Sequence, residues 1–334
     1  MEWIKWGVAL FNPFFILVIT ITPSSMKYRG TELLLIIGAF ACIYIFWGAT
    51  YLAVKIAIES IPPFLMAGFR FCIAGSLLMG IAHLFWKPIL PTKKQLLNAA
   101  FAGVLFLGVG TGGVAWALQY VDSGITALII SAQPLLTMLL VWAVLKNAPV
   151  ASSYLGIILG IGGMYLLVSQ DHVLGRSNSW LGILAIMSSM LAWGYSSVFI
   201  KKADMPKGQA QNAALQMLFG GISLFIISLF TENYEGLSFA SISKRSFLAF
   251  GFLVFFGSIL AFSCFNYLLQ RISPEKVATS TYVNPIIAMF VGWWIGGELI
   301  TNQSILAALV MLTGVLFINV NVLAFLKKRR LKAV

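Results

Sequence analysis

Arg70 is the residue of this chain best placed to do chemistry. It falls about eight residues into an apolar run, Pro62 to Phe85, where a buried guanidinium is costly unless paired or hydrated. It could bind a carboxylate or work a gate. The structural alternative is a packing arginine bonded to carbonyls of neighbouring helices. Other polar residues also sit inside apolar runs: Gln133 before Pro134, and Asn284 before Pro285. A proline there removes a backbone hydrogen bond and loosens the helix, and the residue before it can supply the missing partner or touch a ligand. Trp47, Thr50 and Tyr51 lie around Gly48, and Trp193 and Ser197 lie around Gly194. Trp116, Gln119, Asn266, Tyr267 and Tyr282 complete the set that could line a path through apolar runs. Gly48, Pro134, Gly194 and Pro285 are candidate helix hinges. All of this is binding chemistry rather than bond-making. The chain has two histidines, ten acidic residues with none at the centre of an apolar run, and no Gly-x-Ser-x-Gly. Neither an enzyme nor a pump built on a central glutamate fits.

The elements that must carry these residues are membrane helices. The 334 residues are 60% hydrophobic and 10% charged, with mean hydropathy +0.94, against roughly 25% charged for soluble domains. Ten apolar runs are each long enough for a hydrocarbon core of roughly 30 Å. They are 31–57, 62–85, 96–118, 124–145, 151–168, 180–200, 210–230, 247–269, 277–297 and 305–326. The fold expected is all-α and integral to the membrane. Residues 1–25 form an apolar N-terminal extension outside that core, broken by Asn12-Pro13, with Met26 a natural start. It could equally be an extra helix, an interfacial segment or a signal. Cys42, Cys72 and Cys264 are scattered and form no metal or redox motif, and neither a metal nor a cofactor is expected.

The net charge of +12 reads as loop charge. With the start of the first run placed inside, the inner loops carry sixteen basic residues, including the tail Lys327-Lys328-Arg329-Arg330 and Lys332. The outer loops carry four: Lys55, Arg176, Lys244 and Arg245. This positive-inside bias predicts both core termini in the cytoplasm and makes residues 327–334 a membrane-flanking tail, with lipid and not nucleic acid as its partner.

The chain is also written twice. Trp47-Gly48-Ala49-Thr50 through Lys55 returns as Trp193-Gly194-Tyr195-Ser196 through Lys201, at an offset of 146. Gly75 maps to Gly221 and Arg70 to Gln216. From the third run the offset becomes 151: Leu118-Gln119 maps to Leu269-Gln270, Gln133-Pro134 to Asn284-Pro285, Trp142 to Trp293, and Gly163 to Gly314. The expected halves are 26–170 and 180–326. Five spans is an odd number, so the second half should enter the membrane inverted. Inverted repeats give a chain two near-equal packings, one open to each side. Gly156, Gly160 and Gly163 mark the fifth span, like the tenth, as close-packed scaffold.

Ten spans in two five-span halves, with Trp47-Gly48, Pro62-Pro63, Arg70, Gln133-Pro134, Asn284-Pro285 and Gly297-Glu298, resemble the EamA-like branch of the drug/metabolite transporter superfamily. The resemblance covers about Met26 to Leu326. It implies an inner-membrane permease exporting amino acids or related small metabolites. A multidrug or organic-cation exporter of the same fold is the alternative, and an integral-membrane enzyme a lesser one. Where the family often has a glutamate in its first half, this chain has Asn147, so a symmetric pair of carboxylates with Glu298 is in doubt. Glu298 itself is expected to end the ninth span at the outer surface, as a capping or loop contact. A homo-oligomer is left open.

Overall fold

The computed structural model describes residues 30–86, 89–133, 136, 139–140, 142–143, 151–170, 178–269 and 280–319. The N-terminal extension, Pro134, Asn147 and the basic tail lie outside the described residues. The described residues are helical, with no strand among them. In chain order the elements are α1 (Gly30–Ala57), α2 (Pro63–Trp86), α3 (Lys93–Ala117), α4 (Ser123–Ser131), α5 (Ala151–Val168), α6 (Ser179–Lys202) and α7 (Gln209–Thr231). Then come α8, made of Lys244–Phe252, Leu253–Leu260 and Ala261–Leu269, followed by α9 (Ser280–Trp294) and α10 (Asn302–Asn319). Six of them, α1, α2, α3, α6, α7 and α8, are long and apolar enough to cross a membrane. Fewer than half of the residues in each of these windows are buried. The outward faces stay apolar, as at Leu34, Leu84 and Phe230, which suits lipid rather than water.

Local chemistry sets the boundaries. Thr92 accepts from the Gln95 amide at 3.2 Å, and Gln95 Oε1 accepts from the Thr92 amide at 3.2 Å. This capping box starts α3 at Lys93, three residues before the apolar run. Ser243 Oγ accepts from the Ser246 amide at 3.0 Å and starts α8. The two caps are 151 residues apart, the offset of the duplicated sequence. Both rods then widen into eight-residue π segments, Val104–Thr111 and Leu253–Leu260. Hydropathy is blind to such a change of winding. The fourth span, expected to loosen at Pro134, turns at Ala132 after α4. Gly297, expected inside the ninth span, lies beyond α9 at φ +65°.

Helix ends that meet show the layout. At one end of the bundle Lys55 (end of α1) joins Asp122 (start of α4) and Glu298 (beyond α9). There too Glu232, at the end of α7, accepts from the Phe64 and Leu65 amides of α2. Ser246 at the start of α8 bonds the Ile56 carbonyl at 2.8 Å. A Cβ on Gly182, near the start of α6, would touch Val121, Tyr120 and Ala117. We call this the Lys55 face. At the opposite face Gln95 and Asn98 of α3 bond Asp204, just past α6, at 3.0 and 2.9 Å. So α1 ends where α6 begins, and α2 begins where α7 ends. The contacts repeat when the halves are exchanged: α1 packs on α8 as α6 packs on α3, and α2 on α7, α4 on α9 and α5 on α10 are self-paired.

Candidate functional site

The two copies of the Trp-Gly motif are held by the opposite half. Trp47 Nε1 donates to the Gly257 carbonyl of the α8 π segment at 3.2 Å, and its ring tilts against Phe265, 5.1 Å between centroids. Trp193 stacks on Phe106 of the α3 π segment at 3.7 Å. A Cβ at Gly110 would lie 2.2 Å from Trp193 Cδ1. Each tryptophan therefore docks on a widened turn beside a glycine, and neither bulk nor a regular helix would admit it there. Substituting Gly110→Ala is expected to expel Trp193 from its stack and cost about 1–3 kcal/mol of stability. Gly251→Ala, where an added Cβ meets nothing within 4 Å, should not lower the melting temperature. Equal melting of both variants would show that the docked indole does not hold the two helices together.

The residues before the two prolines repeat the same exchange. Gln133 Nε2 donates to the Met190 carbonyl of α6 at 3.0 Å. Asn284, with its amide turned to satisfy both neighbours, donates to the Tyr44 carbonyl of α1 at 3.3 Å and to the Ser280 carbonyl at 3.1 Å. Tyr44 and Met190 are themselves 146 apart. These amides tie one half to the other as interhelical bonds, each worth about 1 kcal/mol. Pro285 is buried inside α9. Gly48 lies against that stretch: a Cβ there would come 2.6 Å from Ile287 Cβ and 3.1 Å from the Asn284 carbonyl. Helices α1 and α6 run unbroken through Gly48 and Gly194. What Gly48 provides in this conformation is close approach rather than a bend.

A second cluster surrounds the α8 π segment. Arg70, 7% exposed, reaches from α2 and donates from Nε to Ser258 Oγ at 2.9 Å. Its Cζ lies 5.0 Å from the Phe71 ring centroid. Thr50 is the neighbour of Gly257, and its hydroxyl donates back to the Trp47 carbonyl at 2.6 Å. The corresponding hydroxyl in the other half, Ser196, instead reaches the Ala102 carbonyl of α3 at 3.4 Å, and it is the next residue, Ser197, that donates back to the Trp193 carbonyl at 2.8 Å. Trp47, Thr50 and Arg70 are brought together at Gly257-Ser258, which lies 210 residues beyond Trp47 and 188 beyond Arg70 in sequence. Tyr51 is half-buried on the same helix, and Tyr267 packs against the cluster that joins α1 and α9. Trp116 and Gln119 are elsewhere. They line a cavity of about 670 Å3 at the Lys55 face, with Tyr120, Glu59, Glu232 and Glu235. Gln119 is exposed there, bonded to the Trp116 carbonyl. The side chains of Asn266 and Tyr282 fall outside the described residues.

Sequence reasoning missed the strongest ionic site. Lys55 Nζ lies 2.5 Å from Asp122 Oδ1 and 2.8 Å from Glu298 Oε1. Glu298 also accepts from the Ser123 and Gly124 amides at 2.8 and 3.0 Å, so it caps α4, whose helix dipole favours the negative charge. Glu298 is only 9% exposed, and the helix it caps is α4 of the other half. Lys55 had been assigned to a loop. The signal was there: one lysine and two acids, each at the end of an apolar run. Among the described residues no group of three or more His, Cys, Asp or Glu could hold a metal.

Comparison with known proteins places this geometry. The sequence profile of the EamA-like transporter family matches the chain twice, over residues 30–169 and 180–320. An Escherichia coli (strain K12) protein described as an uncharacterized inner membrane transporter, YedA, is 36% identical over 297 residues, covering 88% of this chain and 93% of its own. An uncharacterized transporter of Bacillus subtilis (strain 168), YoaV, is 25% identical over 274 residues, covering 82% and 92%. A solved crystal structure titled only as that of a protein superposes with a TM-score of 0.60 at 17% identity, over 88% of this chain and 97% of that one. That likeness bears on the fold alone.

Proposed function

Because the chain belongs to the EamA-like transporter family, we propose that it is a multi-pass inner-membrane permease exporting small metabolites, amino acids or related compounds. Two inverted five-helix halves, making ten crossings, alternate access between the two faces. Both core termini are cytoplasmic, and the Lys55 face is outside. The observation that carries this reading is the reciprocal docking of the halves. Trp47 binds the α8 π segment as Trp193 binds that of α3, and Asn284 holds Tyr44 as Gln133 holds Met190. Two near-equivalent interfaces around one axis can exchange roles, and alternating access needs that exchange. The meeting of the α1 end with the α6 start supports the inversion. A transporter family also argues against an enzyme.

The test is flux. Purified full-length protein in liposomes should move at least one member of a broad metabolite panel without altering it chemically. In cells, overexpression should raise an extracellular metabolite whose excess is lost in Asn284→Ala. Impermeability to the whole panel would defeat the reading. A second reading, export of organic cations, has one observation behind it: the cavity at the Lys55 face sets Glu59, Glu232 and Glu235 beside Trp116 and Tyr120. Uptake of lipophilic cations in preference to amino acids would favour it.

A further inference from the structure

Arg70 is more than nine-tenths buried, yet among the described residues it has no ionic partner. A guanidinium carries five N–H donors. Nε is spent on Ser258, and the face of the group lies near the Phe71 ring. Among the described residues no carboxylate pairs with it; Asp122 and Glu298 are already engaged with Lys55, and Glu232 with the start of α2. A packing arginine would be expected to bond several carbonyls of neighbouring helices, and this one bonds a single hydroxyl. A cation removed from water without a counter-charge is expensive, and within membrane proteins such residues mark the substrate's path.

The bond to Ser258 fixes the Nε edge of the guanidinium and uses neither Nη. Nη2 faces Gly257, where an added Cβ would stand 3.3 Å from it and 2.8 Å from Thr50 Cγ2. Glycine there is what lets Arg70 and Thr50 share the same turn. The carbonyl of Gly257 accepts from Trp47 Nε1, so one of its lone pairs is already taken.

We infer that Arg70 is the anion subsite of the permeation path and takes the carboxylate of the transported solute. The two Nη groups form the fork that matches a carboxylate in bidentate geometry. Ser258 is the positioning residue that aims it. The solute class is then carboxylates, amino acids among them, and the same charge repels organic cations. This inference rests on the permease reading above and narrows its substrate.

The experiment pairs each amino acid of a labelled panel with its C-terminal amide, in liposomes holding the full chain. The amide keeps size and side chain and loses the carboxylate. At least one acid should be carried tenfold or more better than its amide. Arg70→Gln should erase that preference, and Arg70→Lys should restore part of it. Ser258→Ala keeps the cation and guards against misfolding of the Arg70 variants. It should raise the KM for the acid several-fold and narrow the preference for acid over amide, and Ser258→Thr should restore both. Amides carried as well as acids by the wild-type chain would overturn the inference and leave the permease standing. So would an acid preference that survives in folded Arg70→Gln or is untouched in Ser258→Ala. A wild-type chain that moves no member of either panel would overturn both.

Discussion

Replacing Glu298 by alanine is expected to cost about 3–5 kcal/mol of stability, the range for breaking a buried ion pair by removing one partner. Two losses coincide at this position. Lys55 keeps Asp122 but gives up its second carboxylate at 2.8 Å. The first two amides of α4, Ser123 and Gly124, lose their acceptor at a site where Ser123 is fully buried. Asp122→Asn should be milder, because Glu298 still holds the lysine and the cap stays. Lys55→Met should fall between them, since it leaves two carboxylates facing each other without a cation. Adding Asp122→Asn to Lys55→Met then removes a repulsion, so the double variant should melt above the Lys55→Met single. Thermal unfolding in detergent reads all four. Additive losses across the cycle would mean the three groups do not act as a unit.

How much of this could be read from the chain depends on the kind of interaction. The apolar runs and the Trp-Gly repeat are composition and spacing, and those survive in a linear string. Even the pairing of Asn284 with Tyr44 follows the offsets 146 and 151 once Gln133 with Met190 is known. The π segments do not announce themselves. Val104–Thr111 contains no proline, and its two glycines read as ordinary membrane packing. What the glycines make room for is Trp193 at Gly110 and Ser223 at Gly108, whose Oγ an added Cβ would approach to 2.4 Å, and those residues come from the other half. The Lys55 cluster was hidden for a related reason. Its members are 67 and 243 residues apart, and an acid at a helix end looks like any loop charge until its partner is in place. Trp116 and Arg70 both looked like path residues from their polarity. Only the packing separates a mouth at one face from a charge held inside.

Gly163→Ala should be among the most damaging single-methyl changes in the protein, and Gly162→Ala, one residue away, among the least. Helices α5 and α10 meet over glycine on both sides. A Cβ on Gly163 would lie 2.5 Å from Met311 Cγ and 2.9 Å from its backbone nitrogen. A Cβ on Gly314 would lie 2.8 Å from the Gly156 carbonyl and 2.8 Å from the Gly160 nitrogen. These neighbours are largely backbone, which cannot rotate away, so the helices themselves must separate. Forcing atoms into such a site typically costs about 1–3 kcal/mol, and Gly163→Leu or Gly314→Leu should exceed that. Gly162 faces open space, where alanine gains up to about 1 kcal/mol of helix propensity over glycine. The pair differs by one position and 100° of helix rotation, so composition, expression and propensity are matched. Because α5 and α10 form a scaffold pair away from Arg70 and the tryptophans, flux per folded molecule should be unaltered in Gly163→Ala while its melting temperature falls. If the two alanine variants melt together, the glycine seam does not hold α5 to α10. If Gly163→Ala loses flux without losing stability, the pair belongs to the moving part of the transporter and not to its frame.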